Sequence, residues 1–245
     1  MDTQTQAQIY LADQRGYSQV DHFRSYHNFN FGQYFEESRK PVGALQLLNN
    51  DLLKAGHSIR MQVEKNTEVV IIPVVGGLEY KSDVGNGFLE TGQAQIFSLT
   101  QEMAYEIINP YETEWINYVA IWLTTTSPDF APGLQLTEFD LQTKNELLPL
   151  FNENAKRRQQ QPVFRGFIGR YAGREEGIYQ INSSVNDQSA NGVFVFILSG
   201  AFEVQNRLLH EQDGLALTDI QNNAVDFEAL SNDALLLLLE IPVNQ

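Results

Sequence analysis

The sequence predicts an all-β protein made of two barrel-like units joined by a short, partly helical linker. Three observations carry that expectation. Short apolar or alternating runs recur at roughly ten-residue spacing, with Gly, Asn, Asp and Pro between them, which is the signature of a sandwich or barrel. The pattern breaks off after Thr124 and resumes at Phe164. The two β-rich stretches also echo one another.

In chain order, the runs from Val42 to Leu123 are "ALQLLNND", "HSIRMQVEKN", "TEVVIIPVVGG", "GLEYKSDVGNG", "AQIFSL", "AYEIINP" and "WINYVAIWL". These set the first unit at residues 1–125. Residues 126–162 read as a linker: "SPDFAPG" is a Pro-bearing loop, "DLQTKNELLPLF" is helix-permissive, and "KRRQQQ" is a solvated charge run. From 163 to 245, β patterning returns in "GRYAGREEGIYQINSSV", "NGVFVFILSGAFEVQN", "RLLHEQDGLALTD" and "AVDFEALSNDALLLLLEIP". The stretch "TEVVIIPVVGGLEYKS" resembles "GVFVFILSGAFEVQNR": an apolar strand, a small-residue turn, then an alternating strand. Duplication of one unit, giving two barrels side by side, explains the echo, and so does generic hairpin patterning.

Composition removes several function classes. With 16 basic against 31 acidic residues the net charge is −15, which repels phosphate backbones and argues against nucleic acid as a direct partner. The absence of cysteine excludes disulfides, thiolate metal sites and a cysteine nucleophile, and fits a reducing cytoplasm. The N-terminus lacks a basic segment followed by an apolar one. The longest aliphatic run, "ALLLLLEIP", is far short of the ~20 residues a membrane helix needs. A soluble cytoplasmic protein without membrane contact is expected. No nucleophile elbow, Walker loop or dinucleotide glycine set occurs. "NSS" at Asn182 matches a glycosylation acceptor by chance in such a compartment.

Certain segments resemble a known family. "ADQRGYSQVDHFRSYHNFNFGQYFEE" is similar to an aromatic-rich opening with an H-x-F-S-F element, where His27, Phe29, Asn30, Phe31 and Tyr34 stand, and "GLEYKSDVGNG" to a stretch written L-E-H-x-D-S-x-G-N. With "YVAIWL", "SPDFAPG", "YAGREEG" and "FILSGAFEVQNRLLHEQDGLALTD", the resemblance runs in order along nearly the whole chain. The family is that of the pirin-like bicupins, which includes bacterial quercetin dioxygenases. It implies two cupin-type, jelly-roll-like barrels and a monomer. It also implies one divalent metal, usually iron, held in the N-terminal barrel by three histidines and a glutamate from H-P-H and H-S-E segments. Carried over residue by residue, H-P-H falls on Gln62, Val63 and Glu64, and H-S-E on Tyr105, Glu106 and Ile107.

All four ligand positions, Gln62, Glu64, Tyr105 and Ile107, therefore depart from the family, and no cofactor is expected; iron or another divalent ion follows only if the carry-over is misplaced. His22, His57 and His210 are isolated, whereas His27 belongs to a segment that borders the cavity in the resembling fold. The expected pocket is lined by Gln62, Glu64, Tyr105, Ile107, His27, Phe29, Phe31 and Tyr80, with Tyr34 nearby. Three readings stay open. In the first, a metal-free bicupin binds a small aromatic ligand or a protein partner there, Gln62, Glu64 and Tyr105 forming a polar network in place of the metal. The second is a metal-dependent quercetin 2,3-dioxygenase. The third is a metal-free enzyme with Glu64 as base and Tyr105 as acid. The family resemblance also implies a regulatory partner role. The second barrel, with no His, Asp and Glu cluster at ligand spacing, is expected to be structural.

Overall fold

A computed structural model describes residues 5–151, 164–181 and 191–243. Its first strand is β1 (Gln6–Tyr10). Eleven strands follow: β2 (Gly16–Val20), β3 (Phe23–His27), β4 (Leu45–Leu53), β5 (Ser58–Gln62), β6 (Thr67–Val75), β7 (Leu78–Ser82), β8 (Gly85–Leu89), β9 (Gln93–Leu99), β10 (Ala104–Ile108), β11 (Ile116–Thr124) and β12 (Gly133–Glu138). The remainder are β13 (Leu148–Pro149), β14 (Arg165–Tyr171), β15 (Glu176–Gln180), β16 (Asn191–Ser199), β17 (Ala201–Val204), β18 (Arg207–His210), β19 (Gly214–Thr218), β20 (Ala224–Ala229) and β21 (Ala234–Pro242). Among the described residues there is no α-helix, and no helix is long and apolar enough to cross a membrane.

The chain divides into two units, one formed by Arg15–Phe139 and the other by the described residues through Gln14 together with those from Asp140 onward. Each unit is two antiparallel sheets packed on an apolar filling. In the first, β12-β9-β6-β11-β4-β3-β2 packs on β5-β10-β7-β8, and Leu53, Val69, Ile71 and Tyr118 of one sheet join Leu78, Tyr80, Tyr105 and Ile107 of the other in one core. In the second, β1-β19-β16-β21-β14-β13 packs on β15-β20-β17-β18 around Phe202, Phe227, Leu236 and Leu238.

The echo seen in the sequence corresponds to a repeated topology. The order β9-β6-β11-β4 over β5-β10-β7-β8 recurs as β19-β16-β21-β14 over β15-β20-β17-β18. The passage from one sheet to the other is made in both copies by a glycine in the left-handed region, Gly76 (φ 77°) and Gly200 (φ 78°), a conformation that costs a residue with a Cβ about 1 kcal/mol or more. A Cβ on Gly76 would also lie 3.0 Å from the Ile116 side chain. Both copies close the outer edge of the same strand with an extra one: β12 pairs with β9, and β1 pairs with β19 from Gln6↔Thr218 to Tyr10↔Gly214. An uncovered edge would present unpaired backbone groups to other chains.

The expected boundaries are corrected in three places. Residues 5–14 do not belong to the N-terminal unit, because β1 completes the sheet of the C-terminal one. Residues 126–139 are not linker, since β12 runs beside β9. The helix expected in Asp140–Phe151 is replaced by turns and the short strand β13, where Leu150, fully buried, and Phe151 pack inward and Pro149 breaks any helical run. The rest of the expected linker, with "KRRQQQ", and the "NSS" acceptor lie outside the described residues.

Candidate functional site

The interior face of the N-terminal barrel can be read as rows across its large sheet, because residues paired between antiparallel strands share a face. One row is Ser25, Asp51, Tyr118 and Pro73; the next is His27, Asn49, Ala120 and Ile71; the third is Leu47, Trp122 and Val69. The first two rows place a carboxyl, an imidazole, an amide and a phenol inside an otherwise apolar barrel. Ser25 (1% exposed), His27 (1%), Asn49 (2%) and Asp51 (6%) are all buried.

These groups are joined by hydrogen bonds. The Ser25 hydroxyl donates to Asp51 Oδ1 at 2.5 Å and lies 3.3 Å from His27 Nδ1, while His27 Nε2 lies 2.7 Å from the Ser18 hydroxyl on the exposed edge strand β2. Tyr118 also hydrogen-bonds the Asp51 carboxyl. Burial pushes the Asp51 carboxyl up to about 7, only partly countered by the hydroxyls of Ser25 and Tyr118. Burial likewise pushes His27 down, and Asn49 beside it pulls partly back. Asn49 Oδ1 nevertheless accepts no hydrogen bond of good geometry.

Toward the other sheet, Trp122 Nε1–H donates to the Tyr105 hydroxyl at 3.0 Å. Burial raises the Tyr105 phenol well above its ordinary value, the Trp122 donor opposes this, and Asp51 adds to it. Phe31 packs edge-on against Trp122 (6.0 Å between ring centres) and 5.4 Å from the His27 ring. Tyr80 hydrogen-bonds Gln95 at 2.9 Å and meets Phe97 edge-on. Trp122, Phe31, Met61 and Ile59 are partly exposed, so this aromatic layer reaches solvent.

The structure brings together some of the expected site residues and separates others. Tyr105, Ile107 and Tyr80 face the barrel interior, with His27 and Phe31 at its edge. Phe29 is buried but does not belong to the cluster that fills this barrel. Gln62 and Glu64 are exposed, and the residues of their segment that point inward are Ile59, Met61 and Val63. The register shows why: Tyr105 pairs with Met61 and Ile107 with Ile59, so Arg60 and Gln62 take the opposite face. Gln62 instead donates to the Glu102 carbonyl at 2.8 Å. The expected Gln62–Glu64–Tyr105 network is therefore not formed, and Glu64 is not positioned as a base beside Tyr105. The interior carboxyl is Asp51, which sequence reasoning passed over inside "ALQLLNND".

The C-terminal barrel has a polar layer of its own. Glu240, 2% exposed, accepts from the Tyr179 hydroxyl and from Asn191 Nδ2, the latter at 2.6 Å. Its place matches that of Trp122: each pairs with a valine, Val193 or Val69, that lies seven residues before the turn glycine.

Two sheets around one filling, repeated twice in the same strand order, define a bicupin. Comparison with known proteins places it further. Residues 171–241 match the family described as quercetinase C-terminal cupin domain. The chain is 24% identical over 240 residues to the quercetin 2,3-dioxygenase of Escherichia coli K12, covering 96% of this chain and 99% of that protein. Among solved structures it superposes on YhhW of Escherichia coli with a TM-score of 0.82 at 20% identity, over 97% of this chain and 98% of the other. The same bacterial pirin in complex with nickel(II) gives 0.81 at 19% identity, over 97% and 99%. YhaK, also from Escherichia coli, gives 0.69 at 18% identity, over 95% of each. The chain has the two-barrel fold of these proteins and is similar to them along nearly its whole length.

A divalent ion does not fit the residues that stand at the expected ligand positions. Ile107 is aliphatic and fully buried, and Tyr105 is a neutral phenol whose oxygen already accepts from Trp122. Gln62 and Glu64 face solvent. No group of three or more His, Asp and Glu able to hold a metal occurs among the described residues.

Proposed function

We propose that this chain is a pirin-like bicupin whose N-terminal barrel has been rebuilt away from metal chemistry and takes a small aromatic molecule at its mouth. The observation that carries the reading is the pair Tyr105 and Ile107: a phenol held by Trp122 and a buried isoleucine stand where a metal-binding relative needs an imidazole and a carboxylate. Phe31, Trp122 and Tyr105 offer ring faces and edges at 6.0 to 6.3 Å spacing, suited to a flat ligand, and Asn49 Oδ1 supplies an acceptor for a ligand hydroxyl.

Elemental analysis of untagged protein, purified without chelator and then challenged with iron, nickel and zinc, is expected to find far less than one metal per chain before and after loading. Near-stoichiometric metal, with turnover of quercetin, would overturn the reading in favour of the second one, a metal-dependent quercetin 2,3-dioxygenase. The full-length match to the Escherichia coli enzyme supports that alternative. In a thermal-shift screen, flavonols and aromatic acids are expected to stabilise the wild type and to lose that effect in Trp122→Ala.

A further inference from the structure

We infer that the N-terminal barrel holds a solvent-linked proton site, in which the buried Asp51 carboxyl gains and loses its proton through Ser25, His27 and Ser18 while His27 changes tautomer rather than charge. The inference stands apart from the ligand reading and from any metal.

Donor and acceptor counting fixes the direction of the chain. A carboxylate can only accept, so Ser25 spends its single hydrogen on Asp51 Oδ1. The His27 Nδ1 contact is then an N–H directed at Ser25, with Asn49 also beside the ring, and Nε2 accepts from the Ser18 hydroxyl. Ser18 is exposed, whereas Ser25, His27 and Asp51 are not, so the string runs from solvent to the inside of the barrel.

Protonation reverses every link. The Ser25 hydrogen moves to Asp51, the Nδ1 hydrogen to Ser25, and the Ser18 hydrogen to Nε2, while Ser18 takes one proton from water. The carboxylic acid now donates to Ser25, Ser25 donates to Nδ1, and Nε2–H donates to Ser18. One proton has entered, no imidazolium has formed, and all four groups remain hydrogen-bonded. Burial opposes a charged His27, which favours this tautomer exchange over a cationic intermediate.

The groups facing the site are few. Ser25 and His27 come from β3, Asn49 beside His27 from β4, Tyr118 from β11 and Tyr105 from β10, and Ser18 of β2 faces His27, with the Tyr34 ring 6.3 Å away. Neither a lysine, an arginine nor a second carboxylate contributes to the shift at Asp51. Its proton equilibrium is therefore set by burial and by neutral hydroxyls.

The test is nuclear magnetic resonance on wild-type protein with 15N-labelled histidine and 13C-labelled aspartate. Between about pH 5 and 9, the Asp51 carboxyl is expected to titrate, and the protonated nitrogen of His27 to change from Nε2 at low pH to Nδ1 at high pH with the same midpoint. In Asp51→Asn a single tautomer is expected at every pH. His27 holding one tautomer while Asp51 titrates, an imidazolium signature for His27, a silent Asp51, or a pH-dependent tautomer in Asp51→Asn would each overturn the inference. The wild-type measurement decides even if the variant fails to fold.

Discussion

Asp51→Asn is expected to raise the melting temperature of the N-terminal barrel most at pH 8, by less than half as much at pH 5, and hardly at all below the ordinary carboxylate value of 3.8. The folded carboxyl is raised from 3.8 to about 7, so between those values the folded state binds more proton than the unfolded one. Stability is thus greatest at low pH and falls as pH rises toward 7, after which the loss is complete. At 1.36 kcal/mol per unit the full effect is at most about 4 kcal/mol, or on the order of 10 °C. Asparagine keeps an acceptor for Ser25 and a donor toward the Tyr118 oxygen, but carries no charge to bury. Calorimetric melts of both proteins from acid to mildly alkaline pH would settle it. A wild-type profile no steeper than the variant's would show that the Asp51 site is already solvated.

Deletion of residues 1–14 is expected to weaken the C-terminal barrel, although the deleted segment is remote from it in sequence. Three ties would be lost. The β1–β19 ladder goes, and so does Tyr10, 1% exposed and packed edge-on against Phe194 at 5.6 Å. The third is Ala12 N–H, which donates to Asp213 Oδ1 at 2.7 Å, while Oδ2 accepts from His210 N–H. Burial of an aromatic side chain alone is worth about 2 kcal/mol or more, and an orphaned hydrogen-bonding group about 1–3 kcal/mol. Hydrogen exchange should therefore accelerate by orders of magnitude in Gly214–Thr218 and the facing part of β16. Asp213→Ala, which removes one anchor, should do so more mildly. Full protection of Gly214–Thr218 in the deletion would show that β1 is an ornament.

Much of the fold was legible in the sequence because strands of this kind announce themselves through period-2 alternation and turn residues. The segment "HSIRMQVEKN" shows both the strength of that signal and how it was overridden. Its own alternation, Ile59, Met61 and Val63 against Arg60, Gln62 and Glu64, places the polar set outside, as observed; the family carry-over put those same positions inside. Asp51 was missed for the opposite reason. Asn49, Asn50 and Asp51 closed the run "ALQLLNND" without being given a place in the barrel, yet they continue β4 into its interior, because Ser25, Tyr118 and His27 on neighbouring strands supply the polar company that lets such residues be buried. β1 was missed because "QAQIY" is mostly polar and exposed: its strand character comes from the edge it covers, not from its own composition. The expected helix in Asp140–Phe151 failed because helix propensity is a weak prior beside burial of Leu150 and Phe151.

The pairing of β1 with β19 also imposes a schedule on biosynthesis. Ala12 and Asp213 are separated by 201 positions, so β1 is made long before the strand it pairs with. β2 to β12 can fold while β1 waits, and during that interval its backbone depends on water or on a chaperone. The slowest step in making this molecule should be the joining of β1 to the much later β19, and its rate should respond to sequence changes at Gln6–Tyr10 more than to changes of equal size in the interior of either barrel.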